Sequence, residues 1–174
     1  MGKIQKETPV KLICGFIFSD KELLNKAFSK LSHKFGKVDF ESEIMNFDYT
    51  DYYEKEMGGN LKRCFISFKR LVYPYKLSSI KRFANNLETK LSIKGKRKIN
   101  IDPGYLNSSK LVLATTKDYS HRVYLSRGIF AEVTLSFQGV SFKPWQWTYP
   151  DYKTEAYLQI FNQIRSNYLN QINH

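Results

Sequence analysis

The segment from Ile99 to Leu125 concentrates charged and hydroxyl side chains around short apolar runs. The residues in it whose types could do chemistry are Asp102, Lys110, Thr115, Thr116, Lys117, His121 and Arg122. Lysine, arginine and hydroxyl groups donate the hydrogen bonds that hold phosphate or carboxylate oxygens. The segment therefore predicts an anion pocket with Asp102 and Thr116 in its wall. Its expected anion contacts are Lys110, Lys117, His121 and Arg122, and His121 could also serve as an acid or a base.

Each of these residues also has a plain structural interpretation. Lys110 and Lys117 would be solvated, Asp102 would cap its own turn, and Arg122 would pair with Glu132 across a hairpin. The two interpretations differ in whether the side chains share one concave surface, so both stay open at this point.

Glu132 is a further candidate because it lies in the middle of a predicted strand, between two apolar residues. A carboxylate there must be paired, protonated or bound to a cation. A three-residue loop of Ser126, Arg127 and Gly128 sets Glu132 opposite Arg122, whereas a two-residue loop would place the carboxylate among apolar side chains. The register therefore predicts an ion pair with Arg122. The alternative is a magnesium site shared with Asp102, since this cation prefers oxygen ligands.

Three more clusters are candidates for a functional role. The connection from Phe47 to Asn60 is rich in acids and tyrosines, which is typical of a lid but equally suits a cover for an open sheet face. Lys81, Asn85 and Glu88 recur at helical spacing and would add polar groups if that helix edge faced the open side of the sheet. The aromatic cluster at 145–152 predicts packing against the last helix, with base stacking as the alternative.

The elements that must position these residues follow from hydrophobic periodicity. Val10–Phe18 is a continuous apolar run that predicts a central strand, and a capping box of Ser19 and Glu22 opens the helix that follows. Further elements are predicted as strands at 37–47 and 61–69, a helix at 78–91, a strand at 97–101 ending in the turn Asp102-Pro103-Gly104, a short strand at 110–116, a hairpin and a last helix at 151–172.

The order of these elements predicts an α+β fold in a single domain, 1–174. Residues 1–102 give strand, helix, strand, strand, helix, strand, which is the ferredoxin-like (βαββαβ) antiparallel sheet. Residues 103–174 add a β-hairpin region and a C-terminal helix.

Composition limits the class of protein. The chain has 174 residues, of which 42% are hydrophobic and 16% aromatic, enough to bury a core without disulfides or metals. It contains neither an apolar run that could span a bilayer nor the apolar part of a signal peptide, so we expect a cytoplasmic protein with no membrane partner. Cys14 and Cys64 lie in apolar segments without a metal-ligand spacing, so we expect buried thiols and no structural zinc site.

The formal net charge of +12 favours a polyanionic partner such as RNA, through counterion release. Dispersed lysines can also be solvated surface, and the segment 61–69 lacks the spaced aromatics and glycines of an RNA-recognition motif. Charge therefore raises RNA binding as an alternative without selecting it.

Five phrases spread over nearly the whole chain are specific in combination: PVKLICGFIFSD, FDYTDYYEKEMGGNLKRCFISF, INIDPGYLNSSKLVLATTKDYSHRVYL, GIFAEVTLSF and WTYPDY. Together they resemble a small prokaryotic family, a domain of unknown function whose members are often automatically labelled GTP-binding protein. The label would imply a guanine nucleotide. However, the sequence has no glycine-rich turn that ends in Gly-Lys-Ser/Thr and could surround phosphates.

The leading hypothesis is therefore a binder of a small phosphate-bearing ligand such as a nucleotide. A metal-assisted hydrolase or transferase reaction on that ligand is left open, and the sequence does not determine a cofactor. The alternative hypothesis is an RNA-binding module that uses a basic surface.

Overall fold

A nine-stranded antiparallel sheet forms the centre of the computed structural model, which describes residues 2–173. The strands are β1 (Lys11–Phe18), β2 (Val38–Glu41), β3 (Met45–Asn46), β4 (Lys62–Phe68), β5 (Ile99–Leu106), β6 (Lys110–Thr115), β7 (Val123–Ser126), β8 (Ile129–Gln138) and β9 (Ser141–Pro144). The helices are α1 (Lys21–Phe35), α2 (Glu54–Met57), α3 (Leu77–Lys90) and α4 (Glu155–Ile172). The strand order is β2-β4-β1-β5-β6-β8-β7, with β3 beside β4 and β9 beside β8. The predicted α+β class and C-terminal helix are confirmed.

The two faces of the sheet are covered by different helices. Every residue of β1 is buried, as its continuous apolar run predicts. Leu12, Cys14 and Phe16 of β1 pack with the apolar stripes of α1 and α3 on one face. Ile13 belongs to the cluster that α4 forms on the opposite face. The central strand therefore anchors both layers of the core.

The first helix begins one residue later than the capping pattern predicts. Asp20, and not Ser19, is the N-cap, because its carboxylate accepts hydrogen bonds from the backbone N–H groups of Glu22 and Leu23 at 2.8 and 3.3 Å. The Ser19 hydroxyl instead lies 3.5 Å from the main-chain oxygen of Met57. Aspartate caps a helix as well as serine does and adds a favourable negative charge at its N-terminus.

The predicted turn at Asp102-Pro103-Gly104 is wrong, because β5 continues straight through these residues to Leu106. Asp102 pairs with Gly15 and Pro103 with Cys14 on β1, so long-range pairing overrides the local turn signal. Gly104 is required by close packing, since a Cβ at this position would overlap the main-chain oxygen of Val112 on β6. The boundary predicted at 102 therefore falls inside a strand.

Strands β5 and β6 stay together over only a short stretch. They pair from Gly104 to Leu106, opposite 111–113. Before Gly104, β5 continues beside β1 as far as Ile99, and after residue 113, β6 continues beside β8 as far as Thr115. The two strands diverge, and a gap opens between residues 99–103 and the end of β6.

The hairpin of β7 and β8 combines features of both predicted loops. Arg127 and Gly128 both have positive φ, of 52° and 76°, and form a two-residue turn between Ser126 and Ile129. The register of the ladder then shifts between Ser126 and Tyr124, so that Tyr124 pairs with Phe130. This pairing is the one that the predicted three-residue loop would give.

Two further sequence expectations concern the thiols and membrane insertion. Cys14 and Cys64 are free and buried, and burial raises the pKa of the Cys64 thiol to about 12 and that of Cys14 further, so neither is a reactive thiolate. Among the helices of residues 2–173, none combines the length and hydrophobicity of a membrane span.

Candidate functional site

A cavity of about 600 Å³ lies where β5 and β6 separate. Asn100 and Asp102 of β5 and the end of β6 from 113 to 115 line its two sides. The polar edge of α3, Arg63 of β4 and the segments 47–53 and 149–152 complete the wall. The volume is in the range of small-molecule binding sites.

Side chains of α3 replace the missing strand pairing at the free edge of β5. Lys81 donates from Nζ to the main-chain oxygen of Ile101 at 3.0 Å, and the N–H of Ile101 donates to Glu88 Oε1 at 2.5 Å. Lys81 and Glu88 are seven residues apart and so lie on the same side of the helix. Backbone groups buried away from water need such partners. The main-chain groups of Ile101 are therefore satisfied without β6, which allows the gap to stay open.

Asp102 lies between two cationic side chains, Lys81 and Arg63, in this gap. Its Oδ1 lies 3.5 Å from Lys81 Nζ, and its Oδ2 lies 3.5 Å from Arg63 Nη1 and accepts from Asn100 Nδ2 at 2.7 Å. Burial opposes ionisation, but Lys81 and Arg63 together hold the pKa of Asp102 below its usual value. The ionised carboxylate thereby fixes both cations in the cavity wall.

Arg63 is the most deeply buried charge of the site, with 1% of its side chain exposed. Gly15 makes room for Arg63 and for the Phe65 ring beside it, because a Cβ there would lie 2.9 Å from Phe65 Cε1 and 3.1 Å from Arg63 Nη2. The guanidinium lies against the rings of Phe65 and Tyr152, at 4.7 and 5.2 Å from their centroids. Its hydrogen bond within residues 2–173 goes from Nη2 to the Tyr152 hydroxyl at 2.6 Å, and Nε is buried without a partner there.

Arg97 connects α2 to the cavity wall. Its Nη2 donates to Glu56 Oε2 at 2.8 Å, and its Nη1 donates to Asn100 Oδ1 at 2.9 Å. The same guanidinium lies 3.6 Å from Glu88 Oε2. Burial raises the pKa of the Glu88 carboxyl to about 7, although Lys81 and Arg97 oppose this effect. Arg97 therefore attaches α2, and with it the 47–60 connection, to β5 and the cavity wall.

Glu132 and Arg122 form the predicted ion pair on the opposite side of the cavity. Arg122 Nε donates to Glu132 Oε2 at 2.8 Å, and His121 Nε2 lies 3.1 Å from the same oxygen. Arg122 also donates to the main-chain oxygen of Lys117 and to the Tyr149 hydroxyl, at 3.1 and 3.2 Å. Arg122 thus satisfies the buried carboxylate and also fixes the segment that carries Lys117.

Tyrosines and Lys117 form the mouth of the cavity. Tyr49, Tyr52, Tyr53 and Tyr149 all contribute to the lining. The ammonium of Lys117 lies 4.5 Å from the ring centroid of Tyr52. Lys117 is exposed and lies within ion-pair distance of none of the carboxylates in residues 2–173. It is therefore available to an anion that enters the cavity.

The structure brings most of the predicted ligand-binding residues together. Asp102, Thr116, Lys117, Arg122 and Glu132 all line the cavity. The hypotheses on the 47–60 connection and on Lys81, Asn85 and Glu88 also agree with this arrangement, since both segments contribute lining residues.

Two predicted contacts lie elsewhere. Lys110 stands at the opposite end of β6, beside Ser136, roughly 17 Å along the strand from Thr115. It therefore cannot take part in the same pocket. His121 lies behind Glu132 and stacks on Trp147, with ring centroids 5.4 Å apart, so it holds the carboxylate and does not line the cavity.

Several lining residues were missed by sequence reasoning. They are Arg63, Arg97 and Asn100, whereas Tyr149, Asp151 and Tyr152 of the lining belong to the cluster at 145–152 that was expected to pack against the last helix. A signal for Arg63 does exist in the sequence, because it shares its strand face with Phe65, and an apolar neighbour two residues away indicates a buried face.

The hypothesis of a magnesium site does not fit the site. Asp102 is engaged by Lys81 and Arg63, and Glu132 by Arg122 and His121, so the two carboxylates do not face each other across an open position. No group of three or more His, Cys, Asp or Glu residues within 2–173 is arranged to hold a metal ion.

The chain belongs to a family described as a domain of unknown function, DUF4416, whose model matches residues 8–168. This match confirms the resemblance to an uncharacterised domain family and gives no support to the GTP-binding label. No curated protein and no solved structure matches the chain.

Proposed function

We propose that the cavity between β5 and β6 binds a small phosphate-bearing ligand such as a nucleotide. The observation that carries the proposal is the charge of the wall. Five cationic side chains line it, Arg63, Lys81, Arg97, Lys117 and Arg122, against four carboxylates, Glu88, Asp102, Glu132 and Asp151. Burial raises the pKa of Glu88 to about 7, so this carboxyl is only partly ionised near neutral pH. The excess of positive charge in the wall favours the binding of an anion.

Lys117 is the expected direct contact to phosphate. Its ammonium is the cation that is both exposed at the mouth and free of carboxylate partners within residues 2–173. Thr115 and Thr116 place hydroxyl groups beside it in the lining. Phosphate oxygens accept from such groups with short, charge-assisted hydrogen bonds.

The tyrosines support a ligand that also has a flat ring. Tyr52 and Tyr53 pack edge to face at 5.0 Å, and both border the cavity beside Lys117. Aromatic side chains next to a cation are the arrangement that binds a base and its phosphate together. We leave a metal-assisted reaction out of the proposal, because Asp102 and Glu132, the alternative magnesium ligands, are engaged by cations.

A thermal melting screen tests this proposal. The wild type is heated with ATP, GTP, CTP, UTP, ribose 5-phosphate or pyrophosphate, each with and without magnesium. We expect a saturable rise in Tm with at least one compound, since a ligand at 100 times its Kd stabilises by about 2.7 kcal/mol. Absence of any shift across the panel would contradict the proposal.

Lys117→Ala and Lys110→Ala form a matched pair for this screen. Lys110 begins β6 and Lys117 follows its end, but only Lys117 of the two lines the cavity. We expect Lys117→Ala to lose most of the ligand-induced shift and Lys110→Ala to keep it. Equal losses in the two variants would indicate nonspecific attraction to the charge of the chain.

An RNA-binding module is the second candidate function, favoured by the net charge of +12. Salt-sensitive retention of RNA, combined with failure of the melting screen, would favour it over the small-ligand proposal.

We also propose a ferredoxin-like core, a single domain and a cytoplasmic location. The order β2-β4-β1-β5, with α1 and α3 packed on one face, supports a ferredoxin-like core in residues 1–102 of a single domain. A cytoplasmic location stays a proposal that fractionation of cells would test.

A further inference from the structure

We propose that Asn85 reads the polar edge of a nucleobase in this cavity, so that the ligand is a nucleotide and not a sugar phosphate or an inorganic phosphate. This inference rests on the proposed function, because it names the residue that binds the base of a ligand whose phosphate is bound by Lys117.

The position of Asn85 directs it to the cavity. It lies on α3 four residues after Lys81 and three before Glu88, on the edge of the helix that faces the gap. Lys81 and Glu88 use their polar groups on the backbone of Ile101. Asn85 lies between Lys81 and Glu88 on this edge of the helix, and its side chain makes no hydrogen bond to β5 within residues 2–173.

The side-chain amide of Asn85 is free to bind a ligand. Its main-chain oxygen accepts from the hydroxyl of Thr89 at 3.0 Å, but its amide has no hydrogen-bond partner within residues 2–173. The other asparagine of the lining differs, because Asn100 donates to Asp102 at 2.7 Å and accepts from Arg97 at 2.9 Å. Asn100 supports the wall, whereas Asn85 is half-buried in the cavity lining with its donors and acceptor unused.

The chemistry of the amide fits a base. A carboxamide presents a donor and an acceptor side by side, and this pattern complements the adjacent donor and acceptor atoms at the edge of a nucleobase. The tyrosines at the mouth supply stacking surface for the same ring. A sugar phosphate has hydroxyl groups for the amide but no flat face, so it would leave the stacking surface unused.

Calorimetric titration of Asn85→Ala tests the inference. The probes are the nucleotide that raises Tm most in the wild type and inorganic tripolyphosphate. A two-point amide contact to a base is worth at least about a fivefold change in affinity. We expect Asn85→Ala to weaken nucleotide binding by at least this factor and to leave tripolyphosphate binding unchanged.

Asn86→Ala is the matched control, because the adjacent asparagine is exposed on the same helix and does not line the cavity. It should bind both probes as the wild type does. The inference is overturned if Asn85→Ala keeps full nucleotide affinity, or if it loses tripolyphosphate to the same extent. Failure of every probe with the wild type would instead refute the proposed function itself.

Discussion

Buried charge is the feature of individual residues that sets this cavity apart. Arg63, Lys81 and Glu88 are each less than a tenth exposed. Removing charges from water is costly unless they are paired, and replacing such groups by apolar residues often costs little stability. A packed apolar wall would therefore be the simpler way to fill this space, and the charged wall supports the proposal of an anionic ligand.

Glu88 gives a pH-dependent prediction. Burial raises the pKa of this carboxyl from 4.5 to about 7, so the folded protein binds more protons than the unfolded chain between these values. Stability should therefore fall as the pH rises through this window. Glu88→Gln keeps an acceptor for the N–H of Ile101 but removes the titration.

Urea unfolding of the wild type and Glu88→Gln at pH 4.5 and pH 8 measures this effect. We expect the wild type to lose stability relative to the variant by roughly 2–3 kcal/mol between the two conditions. Parallel pH profiles would show that Glu88 titrates at its ordinary value and is better solvated than the structure indicates.

The sequence predicted part of the site at this scale. Helical spacing placed Lys81, Asn85 and Glu88 on one edge, and strand register paired Arg122 with Glu132. Both are short-range relations within a helix or a hairpin. Arg63 was missed, since its partners Asp102 and Asp151 are distant in sequence and approach it only when the sheet and the segment before α4 are assembled.

At the scale of elements, the cavity exists because β5 and β6 pair closely and then separate. Gly104 is the last paired residue of β5 before the gap, and Pro103, which lacks an N–H to donate, precedes it. The freed edge of β5 is taken over by Lys81 and Glu88 of α3. The position of the gap thus depends on one close backbone contact and on two side chains.

Gly104→Ala tests that contact. A Cβ at this position would meet the main-chain oxygen of Val112 and would lie 2.7 Å from Leu113 Cδ2. Overpacking of this kind costs about 1–3 kcal/mol or more, and here backbone has to move. We therefore expect a loss of unfolding free energy of at least this size in urea titrations.

Gly59→Ala is the control for this substitution. A Cβ at Gly59 would have no atom within 4 Å, so its unfolding free energy should stay within about 0.5 kcal/mol of the wild type. A Gly104→Ala variant as stable as Gly59→Ala would mean that β5 and β6 are not in the close register described.

The helices were predicted more accurately from the sequence than the end of β5. The helices α1, α3 and α4 were predicted within a few residues, because apolar periodicity determines the face that each one buries. Asp102-Pro103-Gly104 was predicted as a turn, since these residue types break strands locally. Pairing with 13–15 on β1 overrides that tendency, and a single sequence carries no signal for it.

At the scale of the whole molecule, the net charge of +12 and the cavity imply different partners. A polyanion bound over a basic surface releases many counterions, whereas a small ligand in a cavity releases few. The two functions can therefore be separated by salt alone, without knowledge of the ligand.

We expect weak salt dependence for the nucleotide selected by the melting screen. Its affinity should fall by less than about tenfold between 50 and 200 mM salt, whereas RNA held by six to ten phosphate contacts would lose roughly 10³–10⁵. Calorimetric titrations at the two salt concentrations measure this difference. A fall of the larger size would favour the RNA-binding alternative.

The most direct test of a nucleotide site between β5 and β6 is a crystal structure of the protein grown with the nucleotide that raises Tm most. We expect a phosphate within hydrogen-bond distance of Lys117 and the base among the tyrosines beside Asn85. Density for the nucleotide on the outer surface, with the cavity filled by solvent, would contradict it.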